Sequence, residues 1–202
     1  MKKLFILGDS ISIQYRGYLQ AMTRGVFSFE INAREKQRAE RDLDNPEGLN
    51  GGDSSAVLKK LTAYSAQGLL DYDVMLLNCG LHDIKRDKQT GAYQVPLALY
   101  RDNLRQIAAL LGAQPGRLCW VRTTPVDDAR HNRLAPFDRF EDDVARCNAA
   151  ADEILCAAGA AIIDLHGFTK NLGDDVYVDH VHYAEAVRAQ QAAFIAGFIC
   201  AL

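Results

Sequence analysis

The feature that most restricts the fold is an alternation of short, nearly continuous apolar runs with longer segments of helical period. The runs are Leu4–Leu7, Val26–Ile31, Val74–Leu77, Leu118–Val121 and Ala161–Leu165. A strand with one wet face alternates apolar and polar residues, whereas a run apolar at almost every position fits a strand covered on both faces. Between the runs, apolar residues recur at helical spacing. Val57, Leu61 and Tyr64 share one face, and Leu97, Tyr100, Leu104, Ile107, Ala108 and Leu111 another. Phe137, Phe140, Val144, Cys147, Ala151 and Ile154 form a third stripe, and Ile195, Phe198, Ile199 and Leu202 a fourth. Strands and helices in this order predict an α/β fold, a parallel sheet between two helical layers. A length of 202 residues predicts a single domain, 1–202, with a substantial core.

Charge and composition remove some functions. The net charge is −3, and there is no basic tract or aromatic-rich basic face, which argues against nucleic-acid and anionic-membrane partners. No run is long enough to span a membrane. The apolar part of the first residues is four long before Gly8-Asp9, too short for the core of a signal peptide. The five cysteines are odd in number, lack CxxC spacing and mostly sit in apolar runs, where the thiol acts as a small hydrophobe. A reducing compartment fits that usage, so the expected location is cytoplasmic. Ala33 to Asn50 is rich in charge and reads as a long loop with a helical turn around Glu35 to Arg41. Its Arg34, Lys36, Arg38 and Arg41 either meet an acidic or sugar substrate or, as is more usual, face solvent. Oligomeric state is not encoded in any of these features.

Four short blocks carry the chemistry. Gly8-Asp9-Ser10 follows the first run, and Gly51-Gly52-Asp53 ends the long loop. Gly80-Leu81-His82-Asp83 follows the third run, and Asp179-His180-Val181-His182 comes after the fifth and opens the last helix. In an open parallel sheet, ligands bind beyond the carboxyl ends of the strands, and all four blocks point to that edge. Ser10 at a glycine turn can present a nucleophilic hydroxyl, although on the tripeptide alone a helix cap by Ser or Asp is the commoner role. Asp179 and His182, three apart, share a face on one turn, so the carboxylate can hold one imidazole nitrogen and leave the other as a general base. His180 competes but faces away on such a turn. Gly52 can offer its N–H to developing negative charge or simply open a helix capped by Asp53 or Ser54. His82 can donate to an oxyanion or bind a metal, and a lone loop histidine commonly does neither.

Taken together, the blocks resemble those of the Ser-Gly-Asn-His hydrolases, the GDSL-like esterases and lipases, from Leu4 to about Val187. Gly8-Asp9-Ser10 matches the first family block, Gly52 the glycine of the second, and Asp179 with His182 the Asp-x-x-His of the last. The resemblance implies a three-layer α/β/α sandwich with a five-stranded parallel sheet, flavodoxin-like in class. It implies Ser10 as nucleophile, His182 as base, Asp179 as its partner, and backbone N–H groups of Ser10 and Gly52 in the oxyanion hole. The third family block is usually Gly-x-Asn-Asp, and here it is Gly80-Leu81-His82-Asp83. A neutral histidine still donates one N–H, so His82 is expected to replace the asparagine, with Asn78 as the rival donor. His82→Ala is then expected to lower kcat by about 10²–10³-fold. Asp9, Asn78, Thr124 and Pro125, the last two in Thr123-Thr124-Pro125 after the fourth run, are weaker candidates for contacts with substrate.

The expected function is a serine esterase acting on a small-molecule acyl ester, an O-acetylated sugar or short-chain ester among the options, without cofactor or metal. Two alternatives stand beside it. A metallophosphoesterase would use His180 and His182 as ligands, yet no His follows Asp9 two residues on, and Ala56 stands three after Asp53 where a carboxylate is wanted. A carbohydrate-binding relative with an impaired site would explain the altered third block but not the retention of Ser10, Asp179 and His182.

Overall fold

Five strands pair in the order β2-β1-β3-β4-β5, and every pairing is parallel. They are β1 (Lys2–Leu7), β2 (Phe27–Phe29), β3 (Val74–Leu77), β4 (Arg117–Val121) and β5 (Ala161–Ile163). The computed structural model describes residues 1–29, 33–43 and 45–202, with the side chains of 33–36 outside that set. The end of the second expected run, Glu30 and Ile31, therefore lies outside the described residues. The helices are α1 (Ser10–Met22), α2 (Ala33–Arg41), α3 (Ser54–Ala66), α4 (Leu97–Gly112), α5 (Asp128–Leu134), α6 (Glu141–Ala157), α7 (Leu165–Lys170) and α8 (Glu185–Cys200).

The layers follow from this order and one chiral rule. The step from β1 to β2 runs one way across the sheet, and the steps from β2 through β5 run the other. Right-handed crossovers then put α1 on one face and α3, α4 and α6 on the opposite face. The packing agrees: α1 lies against α8 and α8 against α7, while α3 lies against α4 and α4 against α6. The result is the expected three-layer α/β/α sandwich. All four residues of β3 are buried, as a central strand covered on both faces should be. The helical stripes face it: Leu61, Leu104, Ile107 and Ile195 are fully buried. Each such side chain stabilises the fold by roughly 1.5–3 kcal/mol relative to exposure.

Three local expectations are corrected. The segment expected to be a loop with one turn forms the nine-residue helix α2; its Ala, Arg, Glu, Lys and Gln are good helix formers, but it lacks the apolar stripe that reveals a helix in sequence. The stripe on α6 begins before its helix, since Phe137 and Phe140 precede Glu141. The last helix starts at Glu185, not at Asp179, so the fourth block lies in an irregular segment, and α7 separates it from β5. Among the described residues no helix is long and apolar enough to cross a membrane.

The direction of winding reverses at β1, whose neighbours are β2 and β3. Beyond the carboxyl ends of β1 and β3 the outgoing chains diverge and leave a crevice. The first and third blocks leave the sheet there.

Candidate active site

The chain leaves β1 through Gly8, which accepts the Gly51 N–H at 2.7 Å and so brings the second block beside the first. A Cβ at Gly8 would meet Ser12 at 3.0 Å, closer than most real Cβ contacts. The cap of α1 is Asp9, whose carboxylate accepts the Ile11 N–H at 3.0 Å. Ser10 is thereby released from the capping role that its tripeptide allowed. As the first residue of α1 it has no helical partner for its own N–H. Its hydroxyl lies 2.9 Å from His182 Nε2.

The segment carrying His182 is pinned at its base. Val178 N–H donates to His182 O and Ala184 N–H to Val176 O, both at 2.8 Å. Between these bonds Asp179 Oδ1 accepts the N–H groups of Val181 at 2.8 Å and His182 at 2.7 Å, and Oδ2 accepts His182 Nδ1–H at 2.8 Å. The three-residue spacing thus works through an aspartate-capped turn instead of a helix. Burial alone would raise the Asp179 carboxyl, but the backbone N–H groups of His182 and Val181 and the His182 ring hold it below its ordinary value. An ionised Asp179 can only accept, which places the proton of neutral His182 on Nδ1 and leaves Nε2 to accept from Ser10. His180 does not reach Ser10; its Nδ1 is 3.8 Å from Asp179 Oδ1 and its ring faces His131 at 5.0 Å.

The glycine loops come next. Gly52 adopts φ +74°, and a Cβ there would lie 2.8 Å from that of Pro46. Its N–H donates to Asn50 Oδ1 at 3.2 Å, so an oxyanion would have to share or displace that bond. Asp53, not Ser54, caps α3, accepting Ala56 N–H at 2.9 Å. Both Asp83 oxygens accept the Ser54 N–H, at 2.9 and 3.1 Å, joining the third block to the second. Burial pushes the Asp83 carboxyl up to about 7. Gly80 turns the chain off β3 at φ +151°, where a Cβ would overlap the Thr123 hydroxyl.

His82 is 6% exposed, and its ring makes no hydrogen bond to another described residue. Burial, with Lys85, Arg139 and His182 nearby, lowers it to about 2. The ring is therefore neutral at any working pH and has one N–H to give. The rival donor is already engaged: Asn78 Nδ2 donates to Val121 O at 2.8 Å. Asn78 Oδ1 and Thr124 Oγ1 are buried without a protein partner. With Asp9, whose carboxyl burial raises, they line a cavity of ≈ 10 Å³, about the space of one water. The Pro125 carbonyl accepts from Tyr177 at 2.9 Å and Tyr183 at 3.0 Å. Arg38 and Arg41 are exposed, Arg38 lying 3.6 Å from Glu47; the side chains of Arg34 and Lys36 are outside the described set. Among the described residues no three His, Cys, Asp or Glu side chains converge on a metal position.

Two buried residues near the site have no signal in the sequence. His131 is fully buried and its Nδ1–H donates to the His180 carbonyl at 3.2 Å. Arg139 is 3% exposed and its Nε donates to the Leu81 carbonyl at 2.7 Å. Neither belongs to a recognisable motif, and each finds its partner 49 or 58 residues away.

Solved structures share this architecture. A lipase/acylhydrolase from Enterococcus faecalis superposes with a TM-score of 0.71 at 18% identity, over 98% of this chain and 95% of that one. A lipolytic protein of the G-D-S-L family from Veillonella parvula gives 0.70 at 14% identity, over 99% of each chain. A carbohydrate acetylesterase from Sinorhizobium meliloti gives 0.69 at 10% identity, over 100% of this chain and 99% of that one. No family model matches the sequence, and no curated protein matches it. The protein has the fold of the GDSL-like hydrolases, the class its four blocks resemble.

Proposed function

We propose that the protein is a serine esterase that hydrolyses a small acyl ester through an acyl-enzyme on Ser10. One observation carries this reading: an unbroken chain from Ser10 Oγ to His182 Nε2 at 2.9 Å and from His182 Nδ1 to Asp179 Oδ2 at 2.8 Å. Its place at the carboxyl edge of the sheet supports it. Ser10 Oγ attacks the ester carbonyl while His182 Nε2 takes its proton. Asp179 holds the ring orientation and stabilises the imidazolium. The developing oxyanion is met by the N–H groups of Ser10 and Gly52 and by the neutral His82 ring. His182 returns the proton to the leaving alkoxide, and the acyl-enzyme is cleaved by water activated at the same nitrogen.

An acetyl group is the preferred acyl unit, because the same fold carries an acetyl xylan esterase and a carbohydrate acetylesterase. The test is hydrolysis of a chromogenic acetate ester by wild type and Ser10→Ala in the presence of a chelator. Activity confined to the wild type, and kept in chelator, is the expected result. Equal activity in both proteins would remove Ser10 from the mechanism, and loss of wild-type activity in chelator would favour the metallophosphoesterase. Absence of fluorophosphonate labelling at Ser10 would favour the impaired, carbohydrate-binding alternative.

A further inference from the structure

The segment between β4 and α6 touches the loop that carries His82. Arg86 N–H donates to Asp138 O at 2.8 Å, and Asp138 N–H returns a bond to Arg86 O at 2.9 Å, a short antiparallel bridge. The next residue is Arg139. Its own N–H is fixed by Asn132 Oδ1 at 2.8 Å, and its guanidinium turns inward to Leu81 O, the carbonyl immediately before His82. The guanidinium carbon lies 5.0 Å from the centre of the Phe137 ring, which is also approached by Lys85 Nζ at 4.6 Å and by the His131 ring at 5.4 Å.

An arginine that is 3% exposed is costly to bury. If shape alone were at stake, an apolar side chain would fill the volume more favourably. What the guanidinium adds is a rigid, directional donor at one chosen carbonyl. The peptide it holds is Leu81–His82, so its orientation sets the direction in which His82 leaves the backbone. The His82 ring itself makes no hydrogen bond to a described residue that would orient it. We propose that Arg139 is a positioning residue for the oxyanion hole, fixing the Leu81–His82 peptide so that the His82 ring meets the oxyanion formed at Ser10. Burial foremost, then the charges of Lys85 and Arg139, oppose protonation of the ring.

This inference rests on the proposed donor role of His82, so the test is a double-mutant cycle in which that role is one arm. Acetate-ester kinetics are measured for wild type, His82→Ala, Arg139→Met and the double variant. Arg139→Met alone is expected to lower kcat by about 10–100-fold, the scale of a catalytic group misplaced by an ångström, with KM changed by less than about twofold. In the His82→Ala background the same substitution should cost less than about threefold, because there is no ring left to misplace. Equal costs in the two backgrounds would overturn the proposal and leave Arg139 a general stabiliser, as would an unchanged kcat in Arg139→Met. A His82→Ala protein of wild-type kcat would instead remove the donor role itself, and this inference with it. If Arg139→Met does not fold, by circular dichroism, the cycle is run with Arg139→Lys, which keeps the charge but lacks the Nε donor.

Discussion

The protonation state of His82 decides how it can serve an oxyanion, and it has a measurable consequence for stability. In the folded protein the ring titrates at about 2, chiefly because burial penalises the cation. In the unfolded chain it titrates near 6.5. Above that value both states hold a neutral ring and the contribution to stability is fully present. As pH falls through 6.5 the unfolded chain binds a proton that the native state refuses, and native stability is lost at about 1.4 kcal/mol per pH unit. At about pH 5 the loss amounts to about 2 kcal/mol, and at about pH 8 it is negligible. The assay is urea unfolding of wild type and His82→Asn at both pH values. Groups common to the two chains, His131 and Asp83 among them, drop out of the difference. The stability of wild type relative to the variant should fall by about 2 kcal/mol between about pH 8 and about pH 5, with unchanged m-values. A difference flat to within about 0.5 kcal/mol would refute the reasoning: the folded ring would then take up a proton as freely as the unfolded one, and His82 would donate as a cation.

Other consequences are as direct. Asp179→Asn keeps the turn but no longer compels the proton onto His182 Nδ1, so kcat for an acetate ester should fall by roughly 10³–10⁴-fold with the fold intact by circular dichroism. Gly80→Ala must place a Cβ against Thr123 in a backbone conformation that only glycine adopts easily, and chemical denaturation should show a loss of about 1–3 kcal/mol. The raised pKa of Asp83, about 7 against 3.8, has the opposite sign to that of His82. From pH 3.8 up to about 7 the unfolded chain ionises while the native carboxyl stays protonated, so stability is lost as pH rises. Wild type should therefore lose stability relative to Asp83→Asn over that window and run parallel to it above, as unfolding midpoints across a pH series will report.

Much of the candidate site was legible because its residues lie in short blocks near strand ends. The pair Asp179 and His182 is close in sequence, so its contact needed only a tight turn, and helix or loop would have served equally. Ser10 was ambiguous because Ser and Asp both cap helices; the ambiguity ended when Asp9 took the Ile11 N–H and left the serine hydroxyl to a histidine 172 positions away. Asn78 was a plausible donor by position, and only the packed fold shows that its amide N–H groups are taken up by Val121 O and Thr123 Oγ1. The helix over Ala33–Arg41 was read as no more than a turn within a loop for want of an apolar stripe, since six of its nine residues are charged.

The sequence by itself determined the layered sheet, the edge at which the candidate site lies, and the residue types proposed here as nucleophile, base and its carboxylate partner. These depend on periodicity and on short spacings, which any chain with this pattern carries locally. Only the tertiary structure decided which partner each polar group takes. The Arg139 bond to Leu81, the His131 bond to His180 and the Asp83 clasp on Ser54 join residues 29 to 58 positions apart. Such bonds leave no trace in local pattern, because a buried donor must be satisfied by whatever acceptor the packed fold brings to it.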